Sequence, residues 1–215
     1  MNRIFNDRII QRSGKLFTKS SYSRSVYGEQ IIRVSDYYLR YWNPKRSKLS
    51  AAILLGLKHF WIEEDSSVLY LGASTGTTVS HISDIAHRGT VFAVEVSYEP
   101  FSKLLKLSES RDNILPILED ARNPDRYGMI AHGVNIIYQD ISQRDQIEIF
   151  NSNSKEFRTA RSAILILKLR SIDSSRNDMA ILSKSIRKIE GFVVVETVDL
   201  NPYDSNTYMV ILRRK

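Results

Sequence analysis

The sequence predicts an α/β protein whose mostly parallel sheet ends in an antiparallel carboxy-terminal hairpin and follows a small N-terminal β domain. From residue 67 to residue 189, short continuous apolar runs alternate with segments of helical spacing. Such alternation is typical of a parallel sheet covered by helices on both faces. Two strand-like runs, 192–200 and 207–214, then follow one another without a helix between them. Their adjacency indicates a hairpin around "NPYDSN".

The first 45 residues read as short strands separated by turn residues, and Asn43-Pro44 marks their end. We therefore predict a small β domain over residues 1–45 and a main domain over residues 46–215. No Gly-, Ser- or Pro-rich linker separates the two. The small domain is accordingly expected to pack directly on the larger one.

The main domain is predicted to begin with a helix. Ser47 suits the N-cap position, and "KLSAAILLGLKHF" (48–60) has helical apolar spacing. Beyond it, the predicted strands are 67–72, 90–96, 113–118, 134–140 and 162–170, and the predicted helices are 76–87, 98–110, 143–158 and 176–189.

The composition excludes several classes of protein and site. With 215 residues, 42% of them hydrophobic and 26% charged, the chain resembles an ordinary globular protein. No apolar run approaches the roughly 18 residues of a membrane span, and we expect neither a secretory signal nor membrane association. The absence of cysteine excludes disulfides and thiol chemistry. The four histidines lack metal-ligand spacing, so no metal site is expected; they are His59, His81, His87 and His132.

The formal net charge of +7 favours a polyanionic partner, nucleic acid above all. Many of the basic residues fall between residues 1 and 48, where aromatic residues are interleaved with them. The cations are Arg3, Arg8, Arg12, Lys15, Lys19, Arg24, Arg33, Arg40, Lys45, Arg46 and Lys48, and the rings are Tyr22, Tyr27, Tyr37, Tyr38, Tyr41 and Trp42. Two interpretations stay open: rings that stack on RNA bases, or rings that form the core of a small sheet with solvated charges.

Polar residues follow successive predicted strands, at the edge of the sheet where ligands bind in open α/β folds. Gly72 and Gly76 follow the first strand and permit a tight turn and close approach of a ligand. Glu95, 19 residues beyond Gly76, is placed to accept hydrogen bonds from a ribose diol. Asp120 follows the third strand and suits an adenine amino group. These residues together predict a pocket for an adenosine moiety, although the spacing G-x-x-x-G differs from the dinucleotide fingerprint G-x-G-x-x-G.

The stretch "LYLGASTGTTVSHISDI" (69–85) closely resembles the fibrillarin family of RNA 2′-O-methyltransferases, especially its archaeal members. The likeness continues in order through "WNPKRSKLSAAIL", "NILPILEDARNP", "IIYQDISQRDQ", "KLRSID" and "NPYDSNTY". It runs from about residue 40 to the carboxy terminus, and the preceding region looks like the small N-terminal β domain of that family. The resemblance implies a Rossmann-like class I methyltransferase sheet and S-adenosylmethionine (SAM) as cofactor.

The resemblance also implies an activity and its partners. Fibrillarins methylate ribose 2′-hydroxyls in rRNA, and in archaea also in tRNA. A box C/D guide RNA pairs with the target, while a Nop5-like scaffold and an L7Ae-like protein carry the enzyme. A cytoplasmic location in an archaeal cell follows from the same likeness.

The resemblance places Lys48, Asp140 and Lys168 in the methyl-transfer site. A ribose hydroxyl is a poor nucleophile until its proton is at least partly transferred, and a lysine is a suitable acceptor when desolvated. Asp140 would orient that amine, and the second lysine would stabilise negative charge on the oxygen. We favour Lys168 as the base because the end of a strand is rigid. A stabilising ion pair and a phosphate-contacting Lys48 are the alternatives.

Cofactor contacts are expected along the same edge of the sheet. Thr77 and Thr78 suit the methionine end of SAM, with helix capping as the alternative role. The full predicted set is Gly72, Ala73, Gly76, Thr77, Thr78, Glu95, Asp120, Ala121, Asp140 and Gln143.

Three short segments depart from the pattern usual among archaeal members. "DISQR" replaces "DVAQP", "GASTG" replaces "GAASG", and Thr207 stands where a histidine is frequent. Any role of that histidine is therefore not transferred to this chain. The main alternative function is a catalytically silent subunit of the same ribonucleoprotein. An NAD-linked dehydrogenase is disfavoured by the missing dinucleotide fingerprint and by the carboxy-terminal hairpin.

Overall fold

The protein contains two β-sheets with a helix buried between them. The computed structural model describes residues 2–3, 5–173 and 177–215, with side chains from residue 5 onward. Residue 176, the predicted first residue of the last helix, lies outside the described residues, as does the side chain of Arg3.

The N-terminal sheet is antiparallel throughout, and its short strands agree with the β structure predicted for this region. Its strand order is β1-β2-β3-β5-β4. The strands are β1 (Asn2–Arg3), β2 (Ile9–Arg12), β3 (Lys15–Ser20), β4 (Ile31–Val34) and β5 (Tyr37–Tyr41).

The larger sheet has seven strands in the order β11-β12-β10-β9-β6-β7-β8. Strands β6 to β10 run parallel, and β12 pairs antiparallel with both β10 and β11, which confirms the predicted mixed sheet and terminal hairpin. The strands are β6 (Val68–Leu71), β7 (Val91–Glu95), β8 (Ile114–Leu118), β9 (Ile136–Gln139), β10 (Ser162–Lys168), β11 (Phe192–Asp199) and β12 (Thr207–Arg214).

In the described part of the chain, six α-helices and a 3-10 turn (Pro124–Arg126) accompany the strands, and the first helix differs clearly from its predicted length. The helices are α1 (Lys48–Leu54), α2 (Thr77–Ile85), α3 (Tyr98–Ser108), α4 (Gln146–Glu156), α5 (Leu169–Ile172) and α6 (Asp178–Arg187). The predicted strand 162–170 ends at Lys168, just before α5 begins. The prediction that α1 reaches residue 60 is wrong, because the chain turns at Gly56 with φ +93°. Ser47 occupies the N-cap position without a side-chain capping bond, and its hydroxyl instead accepts a hydrogen bond from Thr78.

Apolar residues cover both faces of the larger sheet. One buried cluster joins Ile9, Leu16 and Trp42 of the N-terminal region to α1, α2 and the sheet. The second lies under α4 and α6 on the opposite face. Because the first cluster crosses the proposed boundary at residue 45, the two-domain division stays a prediction.

Helix α2 is buried along almost its whole length, polar residues included. Asp84 on α2 accepts hydrogen bonds from Thr18 (2.8 Å) and Ser20 (2.7 Å) and from the guanidinium of Arg40 (2.6 Å). Arg111 reaches Asp84 from the other side at 2.9 Å. This set of paired charges fixes the N-terminal sheet on the larger one.

His81 on α2 lies in the same interface. Its ring stacks on Trp42 with centroids 5.1 Å apart, and its two nitrogens contact the hydroxyls of Thr18 and Tyr27, each at 2.8 Å. Burial, followed by the charges of Arg40 and Arg111, lowers the pKa of His81 well below its usual value. His81 is therefore a neutral packed residue.

Candidate active site

A cavity of about 550 Å³ opens at the carboxyl ends of the parallel strands. Its size lies in the usual range for small-molecule sites. The walls come from the segments that follow β6, β7, β8 and β9, and from the end of β10. Predicted residues that line it are Lys48, Gly72, Glu95, Asp120, Ala121, Asp140, Gln143 and Lys168.

Gly72 determines how closely two of these segments approach. Its φ is +82°, and a Cβ at this position would lie 2.4 Å from the backbone oxygen of Asp140 and 2.8 Å from Ile141. The backbone N–H of Asp140 in turn donates to the carbonyl of Leu71 at 2.9 Å. The missing side chain thus allows the end of β9 to pack against the turn after β6, which places Asp140.

Gly76 has a different neighbour. A Cβ there would lie 2.5 Å from Leu107 on α3, and Gly76 itself begins α2 with φ +86°. Its lack of a side chain therefore permits helix packing. Gly76 does not line the cavity.

Glu95, the last residue of β7, is 8% exposed and faces the cavity. One carboxylate oxygen accepts the backbone N–H of Ser74 and the other accepts that of Ser97, both at 2.8 Å. Each oxygen has a further lone pair for a hydroxyl of a bound sugar. The two backbone bonds hold the carboxylate in one orientation.

An arginine clamp at the rim was not predicted from sequence. The guanidinium of Arg122 donates to both carboxylate oxygens of Asp145, at 2.8 and 2.9 Å, and contacts Asp120 and Gln143 at 3.3 Å. The hydrogen bond from Arg122 lowers the pKa of Asp145 below its usual value. The clamp joins the segment after β8 to the start of α4. In the sequence, only the stretch "EDAR" (119–122), which contains Asp120 and Arg122, indicated a site at this rim.

Three charged residues meet where the cavity opens toward α1. Lys48 Nζ lies 3.0 Å from one carboxylate oxygen of Asp140, and Lys168 Nζ lies 2.8 Å from the other. Lys168 also donates to the hydroxyl of Ser142 at 2.7 Å. All three side chains are between 15% and 23% exposed, so the group is reachable from solvent. The Asp140 carboxylate therefore holds the side-chain nitrogens of both lysines close to itself.

A second carboxylate approaches Lys48 from the terminal hairpin. Asp204 Oδ2 lies 3.7 Å from Lys48 Nζ, and the buried hydroxyl of Thr207 donates to Asp204 Oδ1 at 3.1 Å. Sequence reasoning did not identify Asp204. Asp204 belongs to the segment "NPYDSNTY", which was noted only for a hairpin turn and for its family resemblance, and which lies about 150 residues from Lys48 along the chain.

Two tyrosines lie beneath this charged group. The rings of Tyr70 and Tyr138 stack with centroids 4.4 Å apart and are buried. Burial, and then the charge of Asp140, raise the pKa of Tyr70 well above its usual value. Both rings are therefore neutral, and they form a rigid floor.

Besides Gly76, three of the predicted cofactor residues lie outside the lining of the cavity. Ala73 is buried and its N–H donates to Val94 at 3.0 Å, Thr77 is half-buried, and Thr78 bonds Ser47 beside Lys48. Their contact with a cofactor stays a prediction.

The described residues contain no group of three or more His, Asp or Glu side chains suited to holding a metal ion. No helix in the described ranges is long and apolar enough to cross a membrane.

Comparison with known proteins adds family evidence to this geometry. All 215 residues match the sequence model of the Fibrillarin family. A Thermoplasma acidophilum protein named fibrillarin-like rRNA/tRNA 2′-O-methyltransferase is 54% identical over 207 residues, which are 96% of this chain and 90% of the relative.

Two solved structures share the fold. A fibrillarin/Nop5p complex contains a chain 40% identical to this one, with a TM-score of 0.90 and coverage of 97% of this chain and 98% of that one. Aeropyrum pernix fibrillarin with natively bound SAM is 33% identical, with a TM-score of 0.86 and coverage of 96% of both chains. The family model matches the full length of the chain, and both solved fibrillarins share its fold. This chain therefore belongs to the fibrillarin family.

Proposed function

We propose that this protein transfers a methyl group from SAM to ribose 2′-hydroxyls of rRNA and tRNA. The observation that carries the proposal is the Asp140 carboxylate, which contacts Lys48 and Lys168 at the mouth of the cavity. Its fibrillarin relatives include named rRNA/tRNA 2′-O-methyltransferases and a structure with natively bound SAM.

The residues of the cavity fit the cofactor. Glu95 has free lone pairs for the ribose diol, Asp120 lies further along the wall for the adenine amino group, and Asp140 lies at the opposite end. When bound, SAM supplies an electrophilic methyl group. Everything else required for the reaction concerns the position and protonation of the RNA hydroxyl, which the charged group near α1 controls.

The environments of the two lysines favour different roles for them. Lys48 lies near two carboxylates, those of Asp140 and Asp204, and is placed to stabilise the developing oxyanion. Lys168 faces one carboxylate and the neutral hydroxyl of Ser142. We therefore assign Lys168 as the acceptor of the hydroxyl proton. Bound SAM would supply the methyl group and leave as S-adenosylhomocysteine, and Lys168 Nζ would take the proton of the ribose hydroxyl.

The partners are part of the same proposal. A relative has been solved in complex with Nop5p, which supports a Nop5-like scaffold for this chain. We further propose that a box C/D guide RNA selects the target by base pairing and that an L7Ae-like protein completes the particle. An archaeal cytoplasmic location is proposed from the archaeal relatives.

The test is methyl transfer from labelled SAM to a target RNA, with guide RNA and both partner proteins reconstituted. We expect Asp140→Ala and Lys168→Ala to lower the rate by about 100-fold to 10,000-fold, because a positioned base typically contributes that factor. Lys184→Ala, which removes an exposed lysine on α6, is the matched control and should be fully active.

Cofactor binding is measured separately by thermal shift. SAM is expected to raise the melting temperature of wild type and of both variants, and NAD is not. An inactive wild type in an assembled particle with bound SAM would instead identify a silent subunit.

A further inference from the structure

A groove of about 920 Å³, larger than the cofactor cavity, lies between the N-terminal sheet and α3. Its first wall is the loop 21–27, and its second is the last part of α3 with the turn that follows it. Arg46 and Thr75 complete the lining. The proposed methyl-transfer chemistry uses none of these residues.

The groove is rich in cations that have no ion-pair partner. Arg24, Arg46 and Lys106 are exposed, and none has a carboxylate within 4 Å among the described residues. Lys103 contacts only the exposed Glu99, at 3.6 Å, and such surface pairs are weak. One acid, Glu109, lies among them. Unpaired cations in a concave surface fit a ligand that carries several negative charges.

The groove also contains hydroxyls and a supported ring. Ser21 and Ser23 line it, and such hydroxyls bond phosphate and sugar oxygens. Ser25 and Ser110 also line it, but their hydroxyls already donate to Glu29 and to the carbonyl of Leu107. The ring of Tyr22 lies 4.2 Å from the buried guanidinium of Arg111. An aromatic face and hydroxyls beside cations suit a nucleic acid better than an acidic peptide.

Buried hydrogen bonds hold the loop in place. The carboxylate of Glu29 accepts the backbone N–H groups of Val26 and Tyr27, at 3.0 and 2.9 Å, and is itself paired with Arg40 at 2.6 Å. At the other end, the N–H of Tyr22 donates to Ser20, whose hydroxyl bonds Asp84. A loop fixed in this way loses little conformational entropy when a ligand binds.

One residue joins the lining of the groove to that of the reaction site. Arg46 lines both the groove and a smaller cavity of about 100 Å³, which Lys48, Asp140 and Asp204 also line. A strand with one ribose at Asp140 therefore has a cationic path leading away from it.

We propose that this groove binds the sugar–phosphate backbone of the target RNA beside the nucleotide that is methylated. The proposal rests on the proposed function and adds a second RNA contact outside the reaction site. Arg24 and Lys106 hold phosphates on opposite walls, and Tyr22 contacts a base or a ribose.

The first test compares two double variants in the reconstituted particle. Arg24→Ala with Lys106→Ala removes two groove cations, whereas Arg12→Ala with Arg33→Ala removes two exposed cations of the N-terminal sheet outside the groove. The groove variant should need a several-fold higher target concentration for half-maximal methylation. Its binding should also depend less on salt, with the slope against log salt smaller by about 2 because each phosphate-contacting cation contributes about 1. The control pair should match wild type, and Glu109→Gln should shift the target requirement in the opposite direction.

The second test locates the contact. A 4-thiouridine placed next to the methylated position should cross-link under ultraviolet light to the peptide that contains residues 21–27. Equal behaviour of the groove and control variants, or cross-links confined to other peptides, would overturn the proposal.

Loss of scaffold binding by the groove variant in the absence of RNA would also overturn it, and would assign the groove to a protein partner. Failure of the proposed function looks different, because wild type would then be inactive at every RNA concentration.

Discussion

Gly72 shows how one missing side chain positions a reactive group on another segment. The space that its Cβ would occupy is taken by the backbone oxygen of Asp140, 2.4 Å away. From sequence, we expected this glycine to allow close approach of a ligand. Its contacts indicate a further reason, namely close approach of the chain that carries the carboxylate.

We predict that Gly72→Ala reduces methylation much more than it reduces stability. The added Cβ must displace Asp140, and a displacement of about 1 Å at a reacting group costs up to about 100-fold in rate. Gly133→Ala is the matched control, since its φ is also positive (+71°) but nothing lies within 4 Å of the added Cβ. Both variants should lose about 1–2 kcal/mol of stability from the left-handed backbone, and Gly72→Ala should lose more because its Cβ meets the backbone of Asp140. Melting temperatures and methylation rates measured side by side test this; similar rates for the two variants would contradict it.

Residues at the ends of strands were the predictable part of the site. Glu95 and Lys168 end strands β7 and β10, and Asp140 directly follows β9. These three strands are parallel, so the fold brings their carboxyl ends to one edge of the sheet. Asp204 and Arg122 were missed because their positions depend on loop conformations. No periodicity in the sequence encodes a contact such as Lys48–Asp204, which joins a helix start to the turn of a distant hairpin.

At the scale of elements, α2 explains why the small sheet is needed. A helix between two layers of structure buries its polar face as well as its apolar one, and buried charges require partners. Arg40 from β5 supplies one partner for Asp84. The strands were predictable from apolar runs, whereas the early end of α1 was not, because its apolar spacing continues beyond the turn at Gly56.

The Glu29–Arg40 pair predicts an acid-sensitive stability. Burial alone raises the pKa of Glu29, but the N–H of Tyr27 and the charge of Arg40 outweigh it and lower the pKa from 4.5 to about 2. A carboxyl group whose pKa is lower in the folded than in the unfolded protein stabilises the fold at pH values above the unfolded pKa. That contribution is lost as the pH falls from about 4.5 to about 2.

The melting temperature of wild type should therefore fall over this pH range. Glu29→Gln is expected to be less stable at pH 7 and to show a smaller decrease on acidification. Glu64→Gln changes the partly exposed carboxylate that pairs with Arg88 and serves as the control, with a slope like that of wild type. An unchanged slope in Glu29→Gln would exclude this residue as the source.

At the scale of the whole molecule, the two sheets share one apolar cluster. We therefore predict that they unfold in one transition, although the sequence reads as two domains. Trp42 lies at the junction, stacked on His81, and the other tryptophan can be removed as Trp61→Phe. Fluorescence of Trp42 and far-ultraviolet circular dichroism should then give the same midpoint in urea. Two separate midpoints would show that residues 1–45 are an independent unit.

The buried charges around Asp84 fix the position of the loop 21–27 relative to the reaction site. They connect the loop 21–27 to α2, and α2 begins at the turn that places Asp140. In the proposed RNA complex, the distance between a phosphate held at Arg24 and a ribose held at Asp140 is thereby fixed. This distance does not depend on base identity. It selects only for a strand whose ribose lies at the correct distance from the bound phosphate.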